Sequence, residues 1–522
     1  MNYSAITLLM LLSVFFALRL ILIFVWKFNP SDALTHQYDA RAIELNGGRI
    51  PSHLSQFYPT PQFSYPWAGS WLIYKFKILN PVIVGTIFNT FVSSIQFFLL
   101  YVLVLAGAIS ELGFLVGAII LVVAPNCAGP LMSVFGWHGR IVGSVAMSVL
   151  ITLAILMAPE ISPFYFVLYA ILYGFIFYIF MLFSQFAVQS FFVLLMPLFL
   201  LENAFVVFAA MICGFCLVVF LSPSMVITIL RGHINHVIFY RDILQYRHRS
   251  VSDNVFSLTG YVRAFRKSPS VRQALSLALY TPLVRCLAFA PWLLLLPLLL
   301  FAPQATLDNV TLFCCSLVVM SLLCIPIINV KGLRFLGESD RYFYFVGEFA
   351  SIILIGKLVE TDYFSVETFA AIVGFCILVY LIFVIARSKF SPDVSIQEFK
   401  EAGNSLKGQE GRALCVPNNY SEGVALFCDI EFVGLHSNVS WEREKWSVYD
   451  RLFPHVYPYP IINKSLYSEL NIQFIVVAKK FCDKNYLLRH GLLEKLLSDK
   501  YNYDDCGHMF FENKDFVIYQ VT

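Results

Sequence analysis

The stretch FYFVLYAILYGFIFYIFMLF, residues 164–183, has no charged side chain and no polar group beyond its tyrosine hydroxyls. Wound as an α-helix, such a run reaches about 30 Å, the thickness of a hydrocarbon core. Working outward, 5–26 and 368–386 read the same way, with little charge over lengths that span a bilayer. Of the 522 residues 59% are hydrophobic and 13% charged, whereas a soluble domain carries about 25% charge. No soluble helical core could bury so much apolar surface. The abundant Phe and Tyr suit lipid-facing surfaces and interfacial belts. The composition predicts an α-helical polytopic membrane protein. About eleven transmembrane helices are expected, over 5–26, 82–106, 112–124, 142–158, 164–184, 187–201, 204–229, 286–302, 310–329, 344–360 and 368–386. Met1–Ala5 lacks a basic region, and no small-residue cleavage site follows the first apolar run, so that run is expected to be retained.

The chain divides at 386. Residues 387–522 alternate short β-like runs (Arg412–Val416, Val424–Phe427, Phe474–Val477, Phe516–Val521) with polar segments and a helix near Leu487–Ser498. This predicts a small soluble C-terminal α/β domain after a 1–386 transmembrane domain. An odd span count places the termini on opposite sides. Every sizeable hydrophilic segment, 27–81, 125–141, 230–285, 330–343 and the tail, then shares the C-terminal side. Lys and Arg crowd that side. The positive-inside tendency leans cytoplasmic, but a basic face equally suits an anionic lipid headgroup. A net charge of +3 gives no global basic field, so nucleic acid is excluded as a partner. Of twelve cysteines, the one C-x-x-C pair, Cys213 and Cys216, lies in an apolar span with no His at zinc spacing. The four tail cysteines permit disulfides if the tail is exported.

The most informative polar segment is NPSDALTHQYDAR, residues 29–41. Asn29 suits a helix N-cap, Pro30 the first helical turn, and Gly47-Gly48 the stop. On that helix Asp32, His36 and Asp39 fall at i, i+4 and i+7 on one face. Two carboxylates flanking an imidazole form an acid/base or hydroxyl-binding surface. The bland alternative is that Asp32 completes the helix cap. Residues 57–71, FYPTPQFSYPWAGSW, read as extended because of their prolines. Tyr58 and Tyr65 there are candidates for stacking on sugar, and Trp67 and Trp71 equally suit interfacial anchoring.

A span, an Asp-x-x-x-His helix, a Gly-Gly turn and a Tyr-Pro-rich approach to the second span resemble the start of GT-C-type glycosyltransferases. These multispan enzymes take sugars from polyprenyl-phosphate carriers. RFLGESDRY, residues 334–342, is similar to an Arg-Tyr signature of that superfamily, and an exported α/β tail is common in it. The resemblance implies that Asp32 is the catalytic base or acceptor-binding group, with His36 and Asp39 beside it. It also implies an extracytoplasmic active face and tail in a plasma or inner membrane. Many members carry a second acidic motif after the third span. Here APNCAGP and FGWHGR, residues 124–130 and 135–140, hold no carboxylate. Divalent cations prefer carboxylate oxygens, so no metal cofactor is expected. His138 and Arg140 are candidates for phosphate, or line a helix end. The basic segment 231–285 supplies Arg241, Arg247 and Arg249, joined by Arg334 and Arg341. Guanidinium groups bind phosphate bidentately, and the resemblance implies a lipid-carrier role for them. Without it, 231–285 reads as a basic loop that fixes topology. Arg19, inside the first span, needs a buried partner such as Glu348.

These expectations describe an inverting glycosyltransferase that moves a sugar from a polyprenyl-phosphate-linked donor to a glycan, lipid or protein acceptor at the membrane lipid surface. The rivals are a flippase of lipid-linked sugars and a non-catalytic GT-C-like partner subunit. A flippase would be expected to show paired repeats, and none is present in the sequence.

Overall fold

A computed structural model describes residues 3–25, 31–61, 63, 67–123, 137, 139–157, 161–247, 266, 281–301, 308–330, 332–361, 365–390, 395–434, 446–483, 487, 496 and 501–521. Five of its helices are long and apolar enough to cross a membrane: Pro81–Leu105, Gly139–Leu156, Pro163–Phe183, Ala204–Leu221 and Asn309–Ile328. Shorter apolar helices accompany them within Ile6–Ile21, Glu111–Val123, Phe186–Leu200 and Glu367–Val379. Their outer faces expose large side chains such as Met10, Phe91, Phe164, Phe205 and Phe220. In a bilayer these groups meet lipid and carry no desolvation penalty.

Small residues set the helix spacing. A Cβ on Gly214 would lie 2.6 Å from the Ala170 carbonyl oxygen, and one on Gly174 2.9 Å from the Gly214 carbonyl oxygen. Helices Pro163–Phe183 and Ala204–Leu221 therefore touch backbone to backbone, as helices in lipid do where dispersion rather than the hydrophobic effect joins them. Buried polar side chains find partners across helices, as in Gln96 Nε2 donating to Ser148 Oγ at 2.9 Å. Arg19 and Glu348 are 3% and 1% exposed. The Arg19 guanidinium lies 5.2 Å from the Phe15 ring centroid, and its charge reaches the buried Glu348 without a hydrogen bond between the two being described.

Proline redraws two of the expected spans, and a widened turn a third. The stretch 286–302 is a bent pair, Pro282–Phe289 and Pro291–Leu299, meeting at 85°. Pro291 lacks the N–H that would continue the first helix, and Trp292 Nε1 ties the bend to Ser351 Oγ at 2.8 Å. The stretch 204–229 stops at Leu221, and a second helix, Pro223–Phe239, carries the chain into the basic segment. At 344–360 the helix proper is Glu348–Leu358, preceded by a widened turn over Phe343–Gly347.

Outside the membrane helices lies a six-stranded sheet of order β1-β3-β2-β4-β6-β5. Strands β2 (Arg412–Val416), β3 (Glu431–Val433) and β4 (Ile472–Ala478) are parallel, with β6 (Phe516–Val521) antiparallel beside β4 and β5 (Gly507–Glu512) outermost. Strand β1 is Phe57–Tyr58 of the first loop, paired with Phe432 and Val433. The tail sheet thus includes a strand from 27–81, and the division at 386 does not separate two independent bodies. Gln56 Nε2 reinforces the join by donating to the Ala425, Cys428 and Ile430 carbonyls at 3.1, 2.9 and 3.2 Å. Val424–Phe427, expected as a strand, instead begins inside the helix Ser421–Ala425 and the turn after it; a short apolar run cannot by itself distinguish strand from buried helix. The helix near Leu487–Ser498 lies outside the described residues apart from isolated positions. The four tail cysteines are free thiols.

Candidate functional site

Helix α2 (Ser31–Leu45) carries His36 and Asp39 of the polar face expected from sequence. It stops where Gly47 and Gly48 take φ of 66° and 81°, and the Gly48 N–H caps the Ile43 carbonyl at 2.9 Å. Asn29 and Pro30 lie outside the described residues. So does the side chain of Asp32, although its backbone is in α2.

His36 and Asp39, one helical turn apart, both meet Ser70 on α3 (Ala68–Lys75). Residues 68–71 are therefore helical rather than extended: Pro66 precedes the helix and so does not oppose it. Gly69 allows α3 to approach Trp137, whose indole nitrogen would stand 2.3 Å from a Cβ there. Trp137 is held in turn by stacking on Phe88 with centroids 4.8 Å apart. The result is a compact trio. His36 Nδ1 lies 3.0 Å from Ser70 Oγ, and Ser70 Oγ donates to Asp39 Oδ2 at 3.4 Å. All three are buried, at 6%, 0% and 2% exposure. Burial pushes the Asp39 carboxyl up to about 7, against a smaller downward pull from the Ser70 hydrogen bond. Ser70 carried no signal in the sequence: its partners are 34 and 31 residues away.

The second group surrounds Tyr240, in the turn after Pro223–Phe239. The charges of Arg341, Glu338 and Arg140 all bear on its phenol, whose pKa is raised chiefly by burial. Arg341 pairs with Glu338 at 2.8 Å, and its guanidinium lies 5.1 Å from the Phe186 ring centroid. Arg140 opens the helix Gly139–Leu156. Gly139 is needed there because a Cβ would fall 1.8 Å from the Phe183 carbonyl oxygen. Arg285 pairs with the fully buried Asp340. Neither Arg285 nor Asp340 was singled out in sequence, since 55 residues separate them.

The other expected phosphate ligands are distributed differently. Arg334 donates to the Asn329 carbonyl at 3.2 Å. Arg241 is exposed and paired with its neighbour Asp242 at 2.7 Å. Arg247 reaches the tail and pairs with Asp450 at 2.7 Å. Tyr58 lies in the sheet, with the Arg412 guanidinium 3.8 Å from its ring centroid. That face is occupied by a cation rather than left open for a sugar. Tyr65, His138 and Arg249 lie outside the described residues.

The tail bridges the two groups. Glu422, 1% exposed, follows β2 at the carboxyl ends of the parallel strands, where the chain goes first to β3 on one side of β2 and then to β4 on the other. Open parallel sheets bind ligands at such a switch point. The Glu422 charge acts on Tyr38 of α2 and on Tyr457, both of whose phenols burial already pushes up. Arg41 of α2 donates to the Leu426 carbonyl. The tail therefore meets both the first loop and the basic segment, where the Tyr457 N–H donates to the Arg247 carbonyl at 3.1 Å. Among the described residues, no three His, Cys, Asp or Glu side chains converge as a metal cage.

No protein-family model matches the chain, and no curated protein matches its sequence. Solved structures do match its fold. The Archaeoglobus fulgidus oligosaccharyltransferase tethered with an acceptor peptide superposes at TM-score 0.59 with 10% identity, covering 95% of this chain and 72% of that one. The same archaeal enzyme in complex with an inhibitory peptide and a dolichol-phosphate gives TM-score 0.53 and 9% identity, covering 94% and 71%. ArnT from Cupriavidus metallidurans bound to undecaprenyl phosphate gives TM-score 0.38 and 13% identity over 99% and 97%. The chain has the fold of the archaeal enzyme.

Proposed function

We propose that the chain is an inverting membrane glycosyltransferase. It moves a sugar from a polyprenyl-phosphate-linked donor to a glycan, lipid or protein acceptor during cell-envelope polysaccharide or glycoconjugate assembly. The reading has its active face and tail outside the cytoplasm and requires no metal. One observation carries it: the tail is joined both to the first loop that holds the buried His36–Ser70–Asp39 group, through the pairing of β1 with β3, and to the basic segment, through Arg247 and Asp450 at 2.7 Å.

The chemistry needs those two halves. An acceptor oxygen attacks the anomeric carbon while the bond from that carbon to the carrier phosphate oxygen breaks. The attacking hydroxyl must lose a proton, and the leaving phosphate must keep a negative charge. Asp32, His36 and Asp39 serve the first need. Arg140 and Arg341 serve the second, with Arg241, Arg247, Arg249 and Arg334 along the approach of the carrier. Fixed cations aimed at developing charge are the largest lever such a site has.

The test uses the full chain in nanodiscs with a radiolabelled polyprenyl-phosphate sugar and candidate acceptors. Wild type is expected to form glycosylated product, and Asp32→Asn to form none while keeping its folded elution profile. Wild-type turnover in Asp32→Asn refutes the role of Asp32. Movement of labelled lipid across a sealed bilayer without bond formation points to a flippase instead.

A further inference from the structure

We propose that the adjoining C-terminal ends of α2 and α3 bind the headgroup of an anionic membrane lipid. Lys75, Lys77 and Arg49 take its charge, while Leu45, Phe76 and Leu79 enter the acyl region beside it. The surface neither needs nor uses the glycosyl-transfer reading.

The two helices run side by side in the same direction. Ser70, in the first turn of α3, meets His36 and Asp39 in the middle of α2. Further along both, a Cβ on Gly48, just past α2, would fall 2.6 Å from the hydroxyl of Tyr74, in the last turn of α3. The two ends therefore adjoin. Leu45, Phe76 and Leu79 are bare there, at 78%, 70% and 92% exposure, and large apolar side chains so uncovered are costly in water. The span Pro81–Leu105 begins just after Leu79, with the Asn80 side chain accepting from the Ile83 N–H at 3.1 Å. On that span Ile83, Ile87 and Phe91, four residues apart, are exposed to lipid. Leu79 continues the same spacing, so the patch lies where hydrocarbon gives way to headgroups.

The charge around it is complementary to a phosphate. Lys75, Lys77 and Arg49 are exposed, and among the described residues none of the three has a carboxylate partner. Glu44 is the one acid in 42–50 and 71–80, so three cations stand against one carboxylate. Lys77 carries the sharper signal. Its φ of 48° is left-handed, in a turn where its N–H donates to the Tyr74 carbonyl at 3.2 Å and the Ile78 N–H to the Ile73 carbonyl at 3.0 Å. Glycine fills such a position without strain, as Gly47 does past α2 with φ of 66°. A lysine there strains the backbone, and no contact of its side chain within the described residues offsets that. An anionic headgroup does, because a basic group at the interface attracts it while the apolar neighbours sit among acyl chains. The bland reading is that the three cations only complement the negative ends of two helix dipoles.

Amide hydrogen exchange of the full chain in detergent micelles, read over 44–49 and 75–80 while phosphatidylglycerol is titrated in, separates the two. In wild type, exchange in both stretches is expected to slow as the lipid binds. The double variant Lys75→Gln, Lys77→Gln is expected to need roughly thirtyfold more phosphatidylglycerol for the same protection, about 1 kcal/mol for each lysine. Lys77→Gly is expected to need roughly fivefold more. Without anionic lipid its unfolding temperature is expected to match or exceed that of wild type, because glycine relieves the left-handed strain. A lower unfolding temperature in Lys77→Gly under that condition assigns the lysine to the helix dipole and overturns the proposal. So does protection that is the same in wild type and the double variant. Equal protection by phosphatidylcholine, or by glycerol phosphate free in solution, overturns it as well, since the surface would then read acyl chains alone or a soluble phosphate.

Discussion

Asp39→Asn is expected to stabilise the protein in alkali and not in acid. An ordinary aspartate titrates near 4, and burial holds this one at about 7. At about 1.36 kcal/mol per pH unit, keeping Asp39 ionised above neutrality costs the folded chain roughly 4 kcal/mol, an upper figure because the site can relax. The sign follows from the folded state holding the proton more tightly than the unfolded one. The stabilisation is complete below about pH 4, fades as pH rises from there to about 7, and is absent above. Asparagine cannot ionise, and its carbonyl still accepts from Ser70. The difference in unfolding temperature between Asp39→Asn and wild type, measured by scanning fluorimetry in detergent, is therefore expected to grow from near zero at about pH 4 to several degrees in favour of the variant at about pH 8. Curves that stay parallel across that range would refute the assignment of a buried, proton-holding Asp39. The same variant is expected to be inactive in transfer, so stability and activity part company at one residue.

Asp340→Asn leaves the Arg285 guanidinium, 13% exposed, facing a neutral partner; breaking such a buried pair is expected to cost about 3–5 kcal/mol, read as a lowered unfolding temperature at neutral pH. Arg341→Lys keeps the charge but loses the planar fork that holds Glu338 and lies over Phe186. It is expected to weaken binding of polyprenyl phosphate about tenfold while leaving acceptor KM unchanged, with unaltered lipid binding as the refuting result.

Five of the expected spans were legible because span recognition needs only length and lack of charge, and residues 164–183 supply both. The tail strands at 412–416, 472–478 and 516–521 were legible in outline, as alternating or continuous apolar runs. What escaped was pairing at a distance. Strand β1 is two residues long and has no sequence signature; it exists because β3 offers an edge. Pro66 suggested an extended path, yet a proline just ahead of a helix is no obstacle to it. At the site, helical spacing placed His36 and Asp39 on one face, but nothing local could name Ser70, Arg285, Asp340 or Glu422. Each acts through a partner dozens to hundreds of residues away. Conversely, Arg241 and Arg247 stood out by local density, and the fold places them against Asp242 and Asp450.

The carboxylates among the arginines bear directly on how a phosphate would be held. Arg341 and Arg285 each have a carboxylate partner, Glu338 and Asp340, within hydrogen-bonding reach. An unpaired guanidinium at such depth would be too costly to keep in the resting protein. A phosphate arriving at Arg341 must therefore compete with Glu338, and the net gain is the difference between two charge-assisted contacts rather than the whole of one. That argues for modest ground-state affinity. It leaves the guanidinium to act most strongly when the carbon–oxygen bond breaks and the phosphate's charge grows beyond what it carried in the donor. An interaction that strengthens only then raises kcat and not merely binding. Glu338, by holding Arg341 in place between turnovers, keeps that cation preorganised for the step that needs it.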